Sequence, residues 1–415
     1  MNKKIKMNVS ILLACLMLTG GVTQVRSQAQ EDEPTNPDEV TVQTTTNQLS
    51  SDFYRAVIID GQYQIGASAS SNNNLSSAAN SRAFEEGLLR ISKQVFPTEQ
   101  YFMQEGQIID EATMTSWLAR ESATNPEGLN PALPEEDAET QSSLEESLAS
   151  EESVDPADDP EDVTEEGAEE NEQIVTNVQS TPIYLSQVAE KNLMVETEEG
   201  FALGGIVLGL AMNSTYEYTD ADGVIHEQEI SVGEMRERGR QFANIIVGRL
   251  RNTEELRSVP IVVGIYRTAP SDEVVGGTYV LDGISREGNS VTDWTENNEY
   301  RIALPIIEAS DQSDQYAYFD NFNNEIINFF PNLNGISGEA LYIDGGLASL
   351  NVEIVSQFYK QTEITALTQH ITDVSQRTLP EGVAIEIKVI SDAGVEAYVG
   401  RPAGATQYQS HIFKK

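Results

Sequence analysis

The stretch that most restricts the fold is residues 201–267, FALGGIVLGLAMNSTYEYTDADGVIHEQEISVGEMRERGRQFANIIVGRLRNTEELRSVPIVVGIYR. Its first part, residues 203–218, is a long apolar run with a polar end. In an extended chain successive side chains point to opposite faces. Ile206, Leu208, Leu210 and Met212 therefore share one face, and Val207, Gly209 and Ala211 share the other. Small residues on the second face predict a strand packed closely by another element. Asp222-Gly223 tolerates positive φ and turns the chain, so residues 224–230 are expected to return as the hairpin partner. Ser231 and Glu234 have the spacing of a capping box. Met235, Gly239, Phe242, Ile246 and Leu250 then recur at steps of three or four residues, which predicts a helix with one buried stripe. Arg249 and Arg251 oppose the negative end of its dipole. Residues 259–266 supply a second apolar strand. The unit reads as strand, hairpin, helix, strand.

A chain of 415 residues with 39% hydrophobic content is long enough for roughly two domains. Its net charge of −42 repels nucleic acid and anionic lipid, which removes both as partners of the body. Residues 135–172 hold 18 acidic residues and no Lys or Arg. That composition reads as a disordered, self-repelling insert over 130–173. It is expected to loop out of a domain, because the helix before it and the strand after it both still need partners. The single cysteine, Cys15, excludes a disulfide framework and a thiolate metal site. Three widely spaced histidines, His226, His370 and His411, argue against a His-rich metal site, and no cofactor is expected.

The N-terminus has an export pattern. Lys3, Lys4 and Lys6 precede the apolar run of residues 11–22, ILLACLMLTGGV, too short for a comfortable membrane span of about 20 residues. A signal peptide over residues 1–27 is the expectation. Leu12-Leu13-Ala14-Cys15 resembles a lipobox, after which Cys15 carries lipid; ordinary cleavage near Ser27–Ala29 is the alternative, and leaves a secreted protein. Residues 28–50 are polar and Thr/Glu/Asp-rich and read as a flexible tether.

Further along, residues 53–63 give a strand with a turn at Asp60-Gly61. Phe84, Leu88, Ile91 and Val95 mark a helix that Pro97 ends. Residues 101–103 and 107–109 read as a small hairpin about Glu105-Gly106, and Asp110 can cap a helix carrying Met114, Trp117 and Leu118. Later come strands at 279–281 and 300–304, then a helix marked by Tyr316, Phe319, Phe322, Ile326 and Phe330. Strands follow at 340–343 and 347–354 about Asp344-Gly345, then a helix through Ile364, Leu367, Ile371 and Val374, then strands at 383–390 and 395–399. A helix ending in Phe-Pro, followed by strand, amphipathic helix and strand, occurs twice (206–266, then 347–390) and reads as a duplication. The expected fold class is α+β. Two related lobes, 51–129 with 174–270 and then 271–415, each carry an antiparallel or mixed sheet packed by amphipathic helices.

Several stretches resemble the CamS family, sex-pheromone precursor lipoproteins of Gram-positive bacteria. They are FEEGLLRISKQVFPTEQYFMQEGQIID at 84–110, GLNP at 128–131, TPIYLSQ at 181–187 and GGIVLGLAMNSTYEY at 204–218, with the helix and strand through Arg267. The resemblance implies an exported lipoprotein whose processed signal peptide yields a short apolar peptide sensed by plasmid-carrying cells. Signal peptidase and membrane lipid are its implied partners. With processing at Cys15, the heptapeptide is Asn8, Val9, Ser10, Ile11, Leu12, Leu13 and Ala14. Two departures stand out. Members have an Arg-Gly pair where this chain has Gly66-Ala67-Ser68-Ala69-Ser70, and a clear lipobox cysteine closing an apolar stretch that here runs on past Cys15.

No Walker loop, GxGxxG turn, HExxH pair or GxSxG elbow is present, so no catalytic residue is assigned and the mature part reads as non-enzymatic. Asp220-Ala221-Asp222-Gly223 fails the register of a calcium loop and reads as a turn. His370 reads as a structural histidine beside a helix stripe. Asn213, Ser214 and Tyr216, at the polar end of the central strand, form the candidate binding surface, which Gln104-Glu105-Gly106-Gln107 can join. The expected function is a CamS-type precursor on the outer face of the cell membrane; the alternative is an envelope binding or scaffold module that releases no peptide.

Overall fold

A computed structural model describes residues 42–45, 47–68, 75, 77–133, 181–198, 200–219, 224–306, 313–330, 333, 335–357 and 360–414. The expected signal peptide, Cys15, the heptapeptide from Asn8 to Ala14, most of the tether, residues 134–173 of the acidic insert and the Asp222-Gly223 turn lie outside the described residues; the expected start of the insert at residue 130 is corrected, because Asn130 is buried and hydrogen-bonded. The chain divides into two compact units. The first holds the residues through Ser76, Phe84–Pro270 and Val280–Thr295; the second holds Ser77–Ala83, Ser271–Tyr279 and Glu296–Lys415.

The first unit is built on an eight-stranded mixed sheet. In chain order its elements are β1 (Val42–Thr44), β2 (Arg55–Ile59), α1 (Ala78–Val95), β3 (Phe102–Glu105), α2 (Glu111–Leu118), β4 (Leu185–Thr197) and β5 (Gly200–Met212). They are followed by β6 (Thr215–Thr219), β7 (Ile225–Glu229), α3 (Val232–Leu250), β8 (Ile261–Arg267), β9 (Thr278–Ser285) and β10 (Thr292–Glu296). The sheet order is β1-β2-β3-β4-β5-β8-β9-β10, while β6 and β7 form a separate two-stranded sheet. Strand β5 lies between β4, antiparallel, and β8, parallel. Both its faces are covered. Ile206, Leu208, Leu210 and Met212 join a core with Met235, Phe242, Ile246 and Leu250 of α3. On the other face a Cβ at Gly209 would stand 2.7 Å from the Phe84 ring of α1, and one at Gly205 would collide with the Phe96 ring. The glycines thus let α1 lie against the sheet at backbone distance.

The helices end as their residues dictate. Asp110 caps α2 by accepting from the Thr113 N–H at 2.8 Å. Ser231 caps α3 by accepting from the Glu234 N–H at 3.2 Å, but the Glu234 carboxylate takes the Tyr184 hydroxyl at 2.6 Å. At the other end of α3, Arg251 is buried and donates to the carbonyls of Val259 (2.6 Å), Ser285 (3.0 Å), Gly288 (3.2 Å) and Leu256. One guanidinium thereby ties the segment after α3 to the end of β9 and the loop beyond it.

Two local readings are corrected. Residues 101–109 do not form a hairpin: β3 pairs with β4 (antiparallel) and β2 (parallel), because both neighbours offer it a ladder edge. The return strand β7 does pair with the end of the 203–218 run, but that run is two strands: β5 ends at Met212, the chain breaks at Asn213-Ser214, and β6 leaves the main sheet with β7. Strands β9 and β10, lying past residue 270, belong to the first sheet.

The second unit carries β11 (Glu299–Leu304), α4 (Ala317–Phe329), β12 (Gly335–Ile343), β13 (Gly346–Val355), α5 (Gln361–Thr378), β14 (Ala384–Ser391), β15 (Gly394–Arg401) and β16 (Gln409–Ile412). Its six strands run in chain order across the sheet. All pairs are antiparallel except β13–β14, which α5 bridges. Phe319, Phe322 and Ile326 of α4 and Ile364, Leu367, Ile371 and Val374 of α5 share one core with Leu350, Val352, Ile385, Ile387 and Val389. The β12–β13 turn uses Asp344 at φ 51° and Gly345 at φ 78°, the left-handed pair that an Asp-Gly hairpin demands. Each sheet thus holds an antiparallel pair followed by a helix and a parallel strand: β4-β5-α3-β8 in the first, β12-β13-α5-β14 in the second. Among the described residues no helix is long and apolar enough to cross a membrane.

Gly209→Val is expected to lower the unfolding free energy by about 2 kcal/mol or more, as overpacking does in a filled core. Gly346→Ala, whose new methyl meets nothing nearer than a carbonyl oxygen at 3.6 Å, is expected to change it by less than about 1 kcal/mol. Urea titration of the two variants checks the contrast.

Candidate functional site

The end of β5 holds the three residues singled out in the sequence. The Asn213 N–H donates to the Tyr184 carbonyl at 2.8 Å, and its Nδ2 donates to the Ile183 carbonyl at 2.9 Å. Ser214 is buried; its N–H donates to Thr268 Oγ1 at 3.2 Å, and its carbonyl accepts from the Ile230 N–H at 2.8 Å. The Tyr216 hydroxyl accepts from Arg120 Nη2 at 3.4 Å, and its ring stacks 6.2 Å from that of Tyr218. The three residues follow one another just past β5 but fasten different segments: Asn213 ties the chain to the segment entering β4, Ser214 to the residues after β7 and β8, and Tyr216 to Arg120.

That segment closes a neck. Arg120 Nη1 donates to the Pro131 carbonyl at 2.9 Å, and its Nη2 donates to the Thr181 carbonyl at 2.8 Å. One guanidinium therefore holds the chain on both sides of residues 134–180. Beside it Asn130 is fully buried. Its Oδ1 accepts from the N–H groups of Tyr184 and Leu185, each at 2.9 Å. Its Nδ2 donates to the carbonyls of Leu118 at 2.7 Å and Leu185 at 3.0 Å. Two acceptor positions and two donors are all that an amide side chain has, and each is used. Nothing about GLNP in the sequence signals a role of this kind; a polar residue in an otherwise loop-like stretch is the only trace.

A second polar cluster was not singled out as a unit. In β4, Glu190, Lys191 and Asn192 are all buried, in the middle of a strand with apolar flanks. The Glu190 carboxylate accepts from the N–H groups of Ile108 (3.1 Å) and Ile109 (2.9 Å) and from Asn192 Nδ2 (2.6 Å). The Asn192 Oδ1 accepts from the Gln107 N–H at 2.9 Å. Lys191 Nζ lies 2.9 Å from Glu85 and 2.8 Å from Glu105, and Tyr63 donates to Glu105 at 3.4 Å. The loop before α1 is tied in through the Ala67 N–H to the Gly106 carbonyl at 2.8 Å and Gln107 Nε2 to the Ile65 carbonyl at 2.8 Å. The signal available in the sequence was three consecutive polar residues, EKN, within an apolar strand.

Electrostatics fix what this cluster does. Burial pushes the Glu190 carboxyl above its ordinary value, against the amide donors that favour the charged form. Burial alone lowers Lys191, but Glu85 and Glu105 outweigh it and raise it, so the ammonium stays charged. A firmly protonated lysine is no nucleophile. The cluster braces four segments, residues 63–67, 105–109, β4 and, through Glu85, α1. His370 has a similarly structural place: Nε2 is 3.2 Å from the Glu325 carbonyl and the ring stacks 3.9 Å from that of Phe329. Among the described residues no group of three or more His, Cys, Asp or Glu is placed to hold a metal.

The family model described as CamS sex pheromone cAM373 precursor matches residues 63–407. The chain belongs to the CamS family. Two solved structures agree. A sex pheromone precursor from Lactobacillus salivarius subsp. salivarius UCC118 is 30% identical, covering 90% of this chain and 100% of its own, with a TM-score of 0.72. The C-terminal domain of the sex pheromone staph-cAM373 precursor from Staphylococcus aureus is 25% identical, covering 83% of this chain and 99% of its own, with a TM-score of 0.62. No curated protein matches. The CamS match takes in residues of both units, the neck and the Glu190 cluster, and begins at Tyr63.

Two outcomes follow from the geometry. Asn130→Ala leaves four backbone groups at the neck without their partner, at about 1 kcal/mol or more each, so it is expected to lower stability by about 3 kcal/mol or more in urea titration. Glu190, raised in the folded state, contributes stability that is present below its unfolded pKa of about 4.3 and is lost as pH rises through the higher folded value. Relative to Glu190→Gln, the native chain is expected to lose stability steadily as pH rises from about 4. A constant difference between the two chains from pH 4 to pH 8 would refute this.

Proposed function

We propose that this chain is an exported lipoprotein precursor of a peptide pheromone. The family match over residues 63–407 carries the reading. Upstream of the matched region lie three lysines, an apolar run and Leu12-Leu13-Ala14-Cys15, the order that export and lipid modification require. In this reading signal peptidase cuts before Cys15, and acyl chains on Cys15 hold the protein at the outer face of the membrane. Each buried methylene contributes about 0.8 kcal/mol, so two or more chains anchor firmly. The released leader is trimmed to Asn8–Ala14, NVSILLA, which plasmid-carrying cells sense. The mature part does no catalysis; this rests on the lack of any recognisable catalytic motif in the sequence.

A second reading, an envelope binding or scaffold module with no peptide released, is favoured by the folded body itself. A peptide precursor needs only its leader, yet the family similarity runs through both units. Mass spectrometry of culture supernatant separates the two. NVSILLA or a neighbouring leader fragment is expected at levels that follow expression of the gene, and its absence from an expressing culture favours the module. Radioactive fatty acid is expected to label the native chain and not Cys15→Ala; equal label in both ends the lipoprotein reading.

A further inference from the structure

A strand at the edge of a sheet presents unpaired backbone groups, and folded chains blunt such edges with charge or by keeping them short. Most edges of this chain are blunted in that way. Strand β1 has three residues, β10 carries Asp293 and Glu296, and β11 carries Glu299 and Arg301. The β6–β7 ribbon carries Glu217, Glu227 and Glu229. Strand β16 differs. Gln409, Ser410, His411 and Ile412 include no acid, lysine, arginine or proline, and the strand ends the second sheet with β15 as its one neighbour.

The register says which groups are free. The Phe413 N–H donates inward to the Glu396 carbonyl at 2.9 Å, and His411 stands opposite Tyr398. In an antiparallel ladder the N–H and C=O of one residue point to the same side, and successive residues alternate. Gln409, His411 and Phe413 therefore bond to β15, while Ser410 and Ile412 turn both groups outward. No other described segment pairs with these four groups. Side chains alternate too. Ile412 packs on the helix-covered core. The rings of His411 and Phe413 share the opposite face, with centroids 4.8 Å apart, and Phe413 is 44% exposed.

We propose that β16 pairs antiparallel with β16 of a second copy of this chain, across a two-fold axis at His411, so that two six-stranded sheets join into one. A two-fold dimer needs a patch that complements itself, and this edge does. Centred on His411, the register sets Ser410 of each copy against Ile412 of the other, and all the outward groups are used in four hydrogen bonds. Phe413 comes opposite Gln409 of the other copy and diagonal to its His411, within reach of an aromatic ring, so the exposed phenyl is covered. Charge does not oppose the seam. The row through it runs Glu353, Lys388, Tyr398, His411, then the same residues in reverse. The two Lys388 are thus five strand spacings apart, about 24 Å, well beyond the Debye length of about 8 Å at physiological salt. A seam of five residues a side is smaller than a stable interface of about 1,200 Å² or more, so the dimer is a weak one, with Kd on the order of 100 μM. The pairing is independent of what becomes of the leader peptide.

Sedimentation equilibrium of the full chain in mild detergent, at about 0.15 M salt and up to about 300 μM, is expected to show monomer and dimer. Ser410→Pro removes an outward N–H without touching the ladder to β15, and is expected to weaken association about tenfold or more. His411→Lys, which sets two like charges opposite each other, is expected to do the same; it is exposed, so it decides the matter even where the proline variant loses structure in thermal melting. Cross-linking tests the register. In a Cys15→Ala background, His411→Cys puts its two sulfurs within reach, because Cα atoms of a non-bonded antiparallel pair lie about 4.5 Å apart and a disulfide spans about 4.4–6.8 Å. Oxidised with copper phenanthroline, this variant is expected to run as a dimer in non-reducing denaturing electrophoresis. Gln409→Cys, whose counterpart lies about 14 Å away, is expected to stay monomeric. A native chain that is monomeric throughout overturns the proposal. Equal association in the native chain and His411→Lys, or equal cross-linking of the two cysteine variants, overturns it too.

Discussion

Strand β5 is closed on both faces, and its glycines make that possible. Phe84 of α1 and Phe96, just past its end, reach the backbone at Gly209 and Gly205, while α3 covers the face of Ile206, Leu208, Leu210 and Met212. Burying one large apolar side chain contributes about 1.5–3 kcal/mol, a sizeable share of the 5–15 kcal/mol by which a whole domain exceeds its unfolded state. A strand with rings on one side and a helix stripe on the other therefore fixes where both helices must lie. Strands β4 and β8 then inherit their register from it, and with them the polar residues of β4 inherit their positions.

The second unit repeats the order of elements and changes the layers. Its central strands are covered on one face, so Ile385, Ile387 and Val389 turn in while Glu386 and Lys388 turn out. This difference is written in the two sequences. GIVLGLAM is continuous and apolar, as a strand buried on both sides must be, whereas AIEIKVI alternates. Both helices before the repeated motif end at Phe-Pro, where the ring of proline removes the next donor. Periodicity and turn chemistry thus made the helices, the turns at Asp60-Gly61 and Asp344-Gly345 and the duplication legible, whereas Asp282-Gly283 runs on inside β9.

What was not legible is where long-range pairing decides. Strand β4 runs from Leu185 to Thr197 through Glu190-Lys191-Asn192, and no propensity favours three buried polar residues in a strand. They are stable there because each has a partner far away in sequence: Ile109 for Glu190, Glu85 and Glu105 for Lys191, Gln107 for Asn192. The same limit applies to the hairpin expected at 101–109, which gave way to a ladder with β2 and β4. The end of β5 was recognisable as polar, but the sequence does not say that Asn213 and Tyr216 would meet the segment entering β4 and the arginine that closes the neck.

The neck explains how so acidic a chain keeps its core. Of 67 acidic residues, 18 fall within residues 135–172, a stretch with no basic partner of its own. Placed within the sheet, such charge would have to be neutralised or desolvated at high cost. Arg120 and Asn130 instead join the chain on either side of it, so β4 meets its neighbours as though the interruption were short. Closing a long loop costs little more than closing a short one, about 0.6 kcal/mol for each doubling of length. Asn130, with every hydrogen-bonding position used, and Arg120, with a bond to each side, hold the two ends of the interruption together at the edge of the core.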